Sequence, residues 1–463
     1  MYNRTLTAPI LEIAKGPYQG TRESLAEYQA PDWFRDAKLG IWAHWGPQSA
    51  PEQGDWYAQQ IYVEGTPAYR WHLQHFGHPS KVGYKDVIPT FKADKWEPDQ
   101  LMDLYVKAGA KYFVSIGVHH DNFDMWNSKY QPRWNAVAAG PHKDIVGIWR
   151  EAARKHGLRF GVSEHLSNSF DWFTAAHRCD TSGQYAGLSY DGADPAYADL
   201  YHSYEEMPPG FIENANPMSR SAPDSWKLHY FRRIKDLIDQ HQPDLLYTDG
   251  PIPFEEYGLS LAAHHYNASA QRNGGHVDAI FNWKRPGDCA PISWPDPWQL
   301  DICVGNWHYK ADIAYKTPKT VVDTLVDVVS RNGNLLLNFP LRGNGQLDDR
   351  ELRIFSEITD WMTVNQEGIY ATRPWKVYGD GASVRFTSKH NTVYAFVMDW
   401  PQQRTTIKPL ALNSREQPGT IRNVEMLGHK SKLKWTQDNT GLQVDMPSEK
   451  PCDYAIALKI SFA

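Results

Sequence analysis

The chain has 463 residues, a net charge of −6, a pI near 6.3, and 22% charged against 41% apolar residues, which describes a globular protein too long for a single compact core. No basic stripe suits nucleic acid, and no apolar run approaches the ~20 residues that cross a bilayer. The opening MYNRTLTAPILEIAKG lacks a signal peptide's continuous apolar stretch. Two locations stay open: periplasmic or secreted if a leader has been removed, and cytoplasmic otherwise.

In chain order, KLGIWAHWG (Lys38 to Gly46) predicts a first buried strand that ends at His44. A polar, aromatic loop region follows from Pro47 to Thr90 and includes Asp55 and Trp56. DKWEPDQLMDLYVKAGA predicts a helix, with Pro98 in its first turn and Gly109 as a stop. YFVSIGVHHD (Tyr112 to Asp121) is a second strand, ending in His119 and His120. Asp144 to His156 is helical and leads into LRFGVSEH (Leu158 to His165), a third strand. Asp224 to His241 is a helix that feeds PDLLYTDG, a strand closing on Asp249. HVDAIFNW (His276 to Trp283) and LLLNFP (Leu335 to Pro340) are further strands, with helices over Thr320 to Ser330 and Asp348 to Val364. This alternation predicts a parallel (β/α) barrel of TIM type over residues 1–366. The open doubly wound sheet is the alternative, and no G-x-G-x-x-G fingerprint supports it. From residue 367 to 463 short alternating runs separated by turns predict an all-β sandwich.

In a parallel barrel the C-terminal strand ends meet on one face, so His44, His119, His120 and Asp249 would share a pocket, which suggests an enzyme. A carboxylate there can attack a reacting carbon, or it can simply cap its strand in an Asx turn. The adjacent histidines would point to opposite sides of a regular strand, and both reach one pocket only if the strand ends there. One metal could use His44, the histidine pair and Asp121, but the spacing suits hydroxyl binding better, and neither metal nor cofactor is assigned. Cys179, Cys289, Cys303 and Cys452 are scattered, without C-x-x-C spacing, and are expected as free thiols. The 19 Trp and 25 Tyr supply rings for the C–H faces of sugars as well as for a large core.

HWGPQSAPEQGDWY, KYFVSIGVHHDNFDMWNSKY, PDLLYTDG and LVDVVSRNGNLLLNFPLRGNGQLD resemble segments of the retaining α-L-fucosidases of glycoside hydrolase family 29. The HHD-x-F-x-x-W-x-S-x-Y and NGNLLLN runs are the most specific. The resemblance implies a barrel followed by a β-sandwich, and exo-acting hydrolysis of terminal α-L-fucosyl residues from oligosaccharides or glycoconjugates. It implies Asp249 as nucleophile and His44, His119 and His120 as fucose ligands. The family's E-W-Y loop corresponds to Asp55–Trp56–Tyr57, and its aromatic residue two before the nucleophile to Tyr247. Ser163–Glu164–His165 stands where many members carry tyrosines, which makes Glu164 and His165 candidate sugar contacts. Trp298 and Trp307 are candidates for the entrance. Related enzymes are often oligomers, so homo-oligomerisation stays open.

The family's acid/base is a glutamate in a variable region after the nucleophile. The matching stretch, FNWKRPGDCAPISWPDPWQLD, contains none. Its carboxylates are Asp288, Asp296 and Asp301. Asp288, in a Gly-flanked loop, is the chosen donor, with Glu256 and Glu255 as fallback, then Glu164 or a residue from a neighbouring subunit. A fucose-binding relative, catalytically weakened by loss of that glutamate, is the competing function.

Overall fold

The computed structural model describes residues 11–203, 222–284, 296–416 and 419–463. Seven strands build the first unit: β1 (Leu39–Ala43), β2 (Tyr112–Val118), β3 (Arg159–Glu164), β4 (Leu245–Thr248), β5 (Ile280–Trp283), β6 (Trp298–Cys303) and β7 (Gly333–Asn338). They form one parallel sheet in the order β5-β4-β3-β2-β1-β7-β6. Among the described residues β5 and β6 do not pair, but the edges face each other. The Lys284 ammonium, just past β5, lies 3.1 Å from the Asp301 carboxylate on β6. The sheet is therefore a curled, incompletely closed barrel of TIM type.

Side-chain alternation sorts each strand into two faces. Leu39, Ile41, Ala43 and Trp45 pack outward against the helical layer, while Trp42 joins Tyr112, Val114, Leu245, Tyr247 and Leu336 inside the barrel. Gly40 is required on the inner face of β1: a Cβ there would lie 2.3 Å from the Tyr112 ring. The NGNLLLN run places Asn334 and Asn338 inward. Asn334 accepts the Lys38 N–H and donates to the Phe34 carbonyl, and Asn338 accepts the His44 N–H and donates to the Trp307 carbonyl. Two amides thus clamp both ends of β1.

The longer helices are α1 (Pro67–His75), α2 (Pro98–Lys107), α3 (Ile145–Lys155), α4 (Asp224–His241), α5 (Glu256–Arg272), α6 (Pro318–Ser330) and α7 (Asp349–Asn365). Most start on clear chemical signals. Asp144 caps α3 through the Gly147 N–H, and Asp348 and Glu351 form a reciprocal capping box on α7. Three elements were not foreseen. α1 lies in a stretch that reads as loop. α5 is buried on nearly all sides and shows no apolar stripe. β6 carries polar side chains inward, the reverse of the usual pattern.

Eight strands follow in a second unit: β8 (Arg373–Asp380), β9 (Val384–Lys389), β10 (Thr392–Val397), β11 (Arg404–Ile407), β12 (Ile421–Met426), β13 (Trp435–Asp438), β14 (Gly441–Asp445) and β15 (Ile456–Phe462). They form antiparallel sheets ordered β12-β15-β10-β9-β8 and β11-β14-β13 around a separate apolar core. The Trp361 indole of α7 donates to the Ala455 carbonyl at 2.7 Å and ties the two units together. Cys179, Cys303 and Cys452 are free thiols; Cys289 lies outside the described residues.

Candidate active site

A cavity of about 290 Å³ opens at the C-terminal strand ends, with Trp42 in its wall and the barrel's inner core below. β1 contributes His44. β2 ends at Val118, after its register against β3 shifts between Ile116 and Val118. This irregularity lets both adjacent histidines reach the cavity, with ring centroids 4.4 Å apart. The following turn is held by Arg233 of α4, which is fully buried. Its guanidinium donates to Asn122 Oδ1 at 2.5 Å and to Asp124 Oδ1 at 2.5 Å. Asp121 does not line the cavity; it accepts the Tyr84 hydroxyl, so the metal set including it is not assembled.

Asp249 sits among imidazole, ammonium and phenol neighbours. His165 Nδ1 lies 3.3 Å and His120 Nε2 3.7 Å from its Oδ2, and Lys284 Nζ lies 3.5 Å from its Oδ1. The Tyr247 hydroxyl, on the inner face two residues earlier, donates to Oδ1 at 3.4 Å. The backbone is pinned as well, with Asp249 N–H donating to the Glu164 carbonyl and Asn168 to the Asp249 carbonyl. Burial alone would raise this carboxyl's pKa, but His165, by charge and hydrogen bond, and then Lys284 outweigh burial and hold it well below the usual carboxylate range. Asp249 is therefore an anion at any physiological pH.

Three of the cavity's imidazoles, His44, His119 and His120, are held toward the neutral form. Burial, then the neighbouring rings of His308 and His165, pushes His44 well below its ordinary pKa, and burial with His120 and His308 does the same to His119. Burial and His165 push His120 down to about 4. Hydrogen bonds assign two tautomers. Gln48 accepts the Ala58 N–H and donates to His119 Nδ1 at 2.9 Å, so His119 carries its proton on Nε2. His120 donates from Nδ1 to the His165 carbonyl at 2.8 Å, leaving Nε2 as a bare acceptor. Among the described residues neither ring nitrogen of buried His44 has a protein partner. Neutral donors and acceptors of this kind, walled by Trp56 and Trp307, fit a ligand dense in hydroxyl groups and C–H faces.

Asp55 enters from the loop after β1. It is oriented by His308 Nδ1 at 2.6 Å and by its own N–H donating to Asn306, and faces His119 Nε2 at 3.7 Å. His308 and Lys284 carried no sequence signal. Both follow strands whose ends are marked by no motif.

Four candidates stand elsewhere. Glu164 is on the outer face of β3, because the period of two that sends His165 inward sends its neighbour outward. Its carboxylate accepts the Tyr230 hydroxyl and the Leu166 N–H. Trp298 is likewise outward on β6, where its indole donates to the Arg331 carbonyl at 2.7 Å. Glu255 pairs with Arg22 at 2.7 Å on the surface, and Glu256 starts α5; neither lines the cavity. Asp288 lies outside the described residues, and Asp296 is exposed beside Arg35. Asp301, the remaining carboxylate of that stretch, does line the cavity.

A barrel whose strand ends gather carboxylates, imidazoles and indoles around a pocket of this size fits a glycoside hydrolase. Residues 5–367 match the family described as alpha-L-fucosidase, and residues 381–461 match the alpha-L-fucosidase C-terminal domain. The chain belongs to the alpha-L-fucosidase family. It is 30% identical to human tissue alpha-L-fucosidase over 95% of this chain and 90% of that protein. It is 29% identical to an alpha-L-fucosidase of Branchiostoma floridae over 96% and 95% of the two chains. Among solved structures it resembles Thermotoga maritima alpha-fucosidase in complex with fucose, at 26% identity and a TM-score of 0.76, covering 96% of this chain and all of that one.

Proposed function

We propose that the protein is an exo-acting, retaining α-L-fucosidase with Asp249 as its nucleophile. The observation that carries this reading is the ring of His165, His120 and Lys284, each within 3.7 Å of one carboxylate at the barrel's C-terminal face. In the first half-reaction Asp249 attacks the anomeric carbon and the glycosidic oxygen leaves with its electron pair and a proton from a carboxylic acid. The covalent fucosyl ester is then hydrolysed by water. His44, His119, His120 and Asp55 bind the sugar hydroxyls and fix the anomeric carbon over Oδ1 or Oδ2. The indoles of Trp56 and Trp307 cover apolar faces, including the C6 methyl that most hexoses lack. The pocket is small and backed by the barrel core, which favours one terminal residue over an internal chain position.

Asp249→Gly tests this. With a 2,4-dinitrophenyl α-L-fucoside, turnover should fall at least ~10³-fold, and azide should restore it with release of the inverted β-fucosyl azide. A variant that keeps near-normal rates, or an azide product of retained configuration, would refute the assignment.

A further inference from the structure

We propose that Asp301 on β6 is the acid/base partner of Asp249, supplied across the open seam of the barrel; this rests on the nucleophile assignment above. The chain has no glutamate in the stretch where one is expected, so the proton donor must be another group. Among the described residues the cavity is lined by three carboxylates: Asp249, Asp55 and Asp301. Asp55 is tied to His308 and faces His119, and it sits with the hydroxyl-binding histidines. Asp301 faces the nucleophile. Its Oδ2 lies 3.1 Å from Lys284 Nζ, which is itself 3.5 Å from Asp249 Oδ1. Two oxygens that close to one nitrogen are less than about 7 Å apart, compatible with the ~5 Å carboxyl separation of retaining pairs.

The groups around Asp301 can move its proton in the required order. Lys284 from β5, Asp249 and Tyr247 from β4, Tyr112 from β2 and Cys303 from β6 are the titratable groups it faces. Burial raises the Asp301 pKa and the Asp249 anion adds to that, against Lys284 and the Tyr247 hydroxyl. When Asp301 carries the proton in the free enzyme, it can donate it to the departing glycosidic oxygen as the C1–O bond breaks and the Asp249–C1 bond forms. Esterification removes the Asp249 charge. Lys284 then has only one anionic partner, so the Asp301 pKa falls and the carboxylate can take a proton from water. The water oxygen bonds to C1, the ester bond returns its electron pair to Asp249, and Asp301 ends the cycle protonated.

The test uses the full-length enzyme with Asp301→Asn and, in parallel, Asp288→Asn, on a dinitrophenyl fucoside and on a fucosyl disaccharide. For Asp301→Asn, kcat/KM on the disaccharide should fall about 10²–10⁴-fold while kcat/KM on the dinitrophenyl substrate stays within about tenfold. The basic limb of the pH–rate profile should disappear, and azide should accelerate turnover to give the retained α-fucosyl azide. Fucose affinity measured by calorimetry should stay within a few-fold, which reports an intact site. Equal losses on both substrates without azide rescue would mean that Asp301 only neutralises Lys284 and would overturn the proposal. So would the leaving-group-dependent pattern appearing in Asp288→Asn instead. Failure of the nucleophile assignment is separable, because that appears as an unlabelled Asp249 in the otherwise unaltered enzyme.

Discussion

His165 Nδ1 stands 3.3 Å from Asp249 Oδ2, although the two residues close different strands, β3 and β4. The pairing follows from register: Ser163 is aligned with Tyr247, so the next inward positions of both strands meet at the top of the barrel. This contact is among the largest influences lowering the Asp249 pKa.

Replacing His165 by Ala should therefore raise the Asp249 pKa. As the proposed nucleophile, Asp249 acts as the anion, so the variant's kcat/KM profile should gain an acid limb moved up toward the ordinary carboxylate range. At neutral pH the loss should be about 10- to 100-fold, reflecting lost positioning as well as charge. Measuring kcat/KM from pH 4 to 9 on an activated fucoside checks this. An unchanged acid limb would assign that limb to another group.

Asp55→Ala should act on binding. Its carboxylate is oriented by His308 at 2.6 Å, and its loss removes an acceptor from the pocket and leaves the His308 proton without a partner. Fucose affinity should drop about 10- to 100-fold, the range expected for a charged hydrogen bond. Calorimetry with fucose is the measurement, and affinity within twofold would place Asp55 outside the sugar site.

His44, Asp55, His119 and His308 bring ligand atoms within 4.8 Å of one another, close enough to hold a zinc ion. Hydroxyl recognition needs no ion there. Dialysis against EDTA should leave kcat/KM within twofold and metal analysis should find substoichiometric zinc. Loss of activity restored by added metal would replace the sugar-ligand role of these groups.

Lys38 gives a stability prediction. It is fully buried at the start of β1, its ammonium has no hydrogen-bond partner among the described residues, and burial followed by the Arg373 charge pushes its pKa down to about 7. In the unfolded chain the group titrates near 10.4. Between those values the unfolded state holds more protons, so stability rises with pH, and the penalty is full below about pH 7. Lys38→Met should raise Tm by several degrees at pH 6.5, with the gain shrinking toward pH 10. A Tm shift independent of pH would show that packing, not charge, limits stability there.

The strands were legible where an apolar run ended in a reactive side chain. β1, β2, β3 and β4 were found that way, and with them the histidines and Asp249. What period-two reasoning could also have supplied is the inward or outward sense: Glu164 stands one position before inward His165 and Trp298 three before inward Asp301, so both fall on outer faces. Counting back from Asp301 would have placed Trp298 outside the barrel. β6 was missed because its inward side chains are polar, matched to Lys284 and Tyr112 rather than to an apolar core. His308 and Lys284 reach the site only through tertiary folding. The relation between Asp301 and Asp249 likewise depends on how far the sheet curls, which no local pattern encodes.

The central claim is a covalent bond between Asp249 and the anomeric carbon. Incubation with a 2-deoxy-2-fluoro-fucosyl fluoride, followed by proteolysis and peptide mass mapping, tests it most directly. A single fluorofucosyl adduct on the peptide containing Tyr247–Thr248–Asp249, localised to Asp249 and released on addition of an acceptor, is the predicted result. An adduct on any other side chain, or hydrolysis with inverted anomeric configuration, would contradict it.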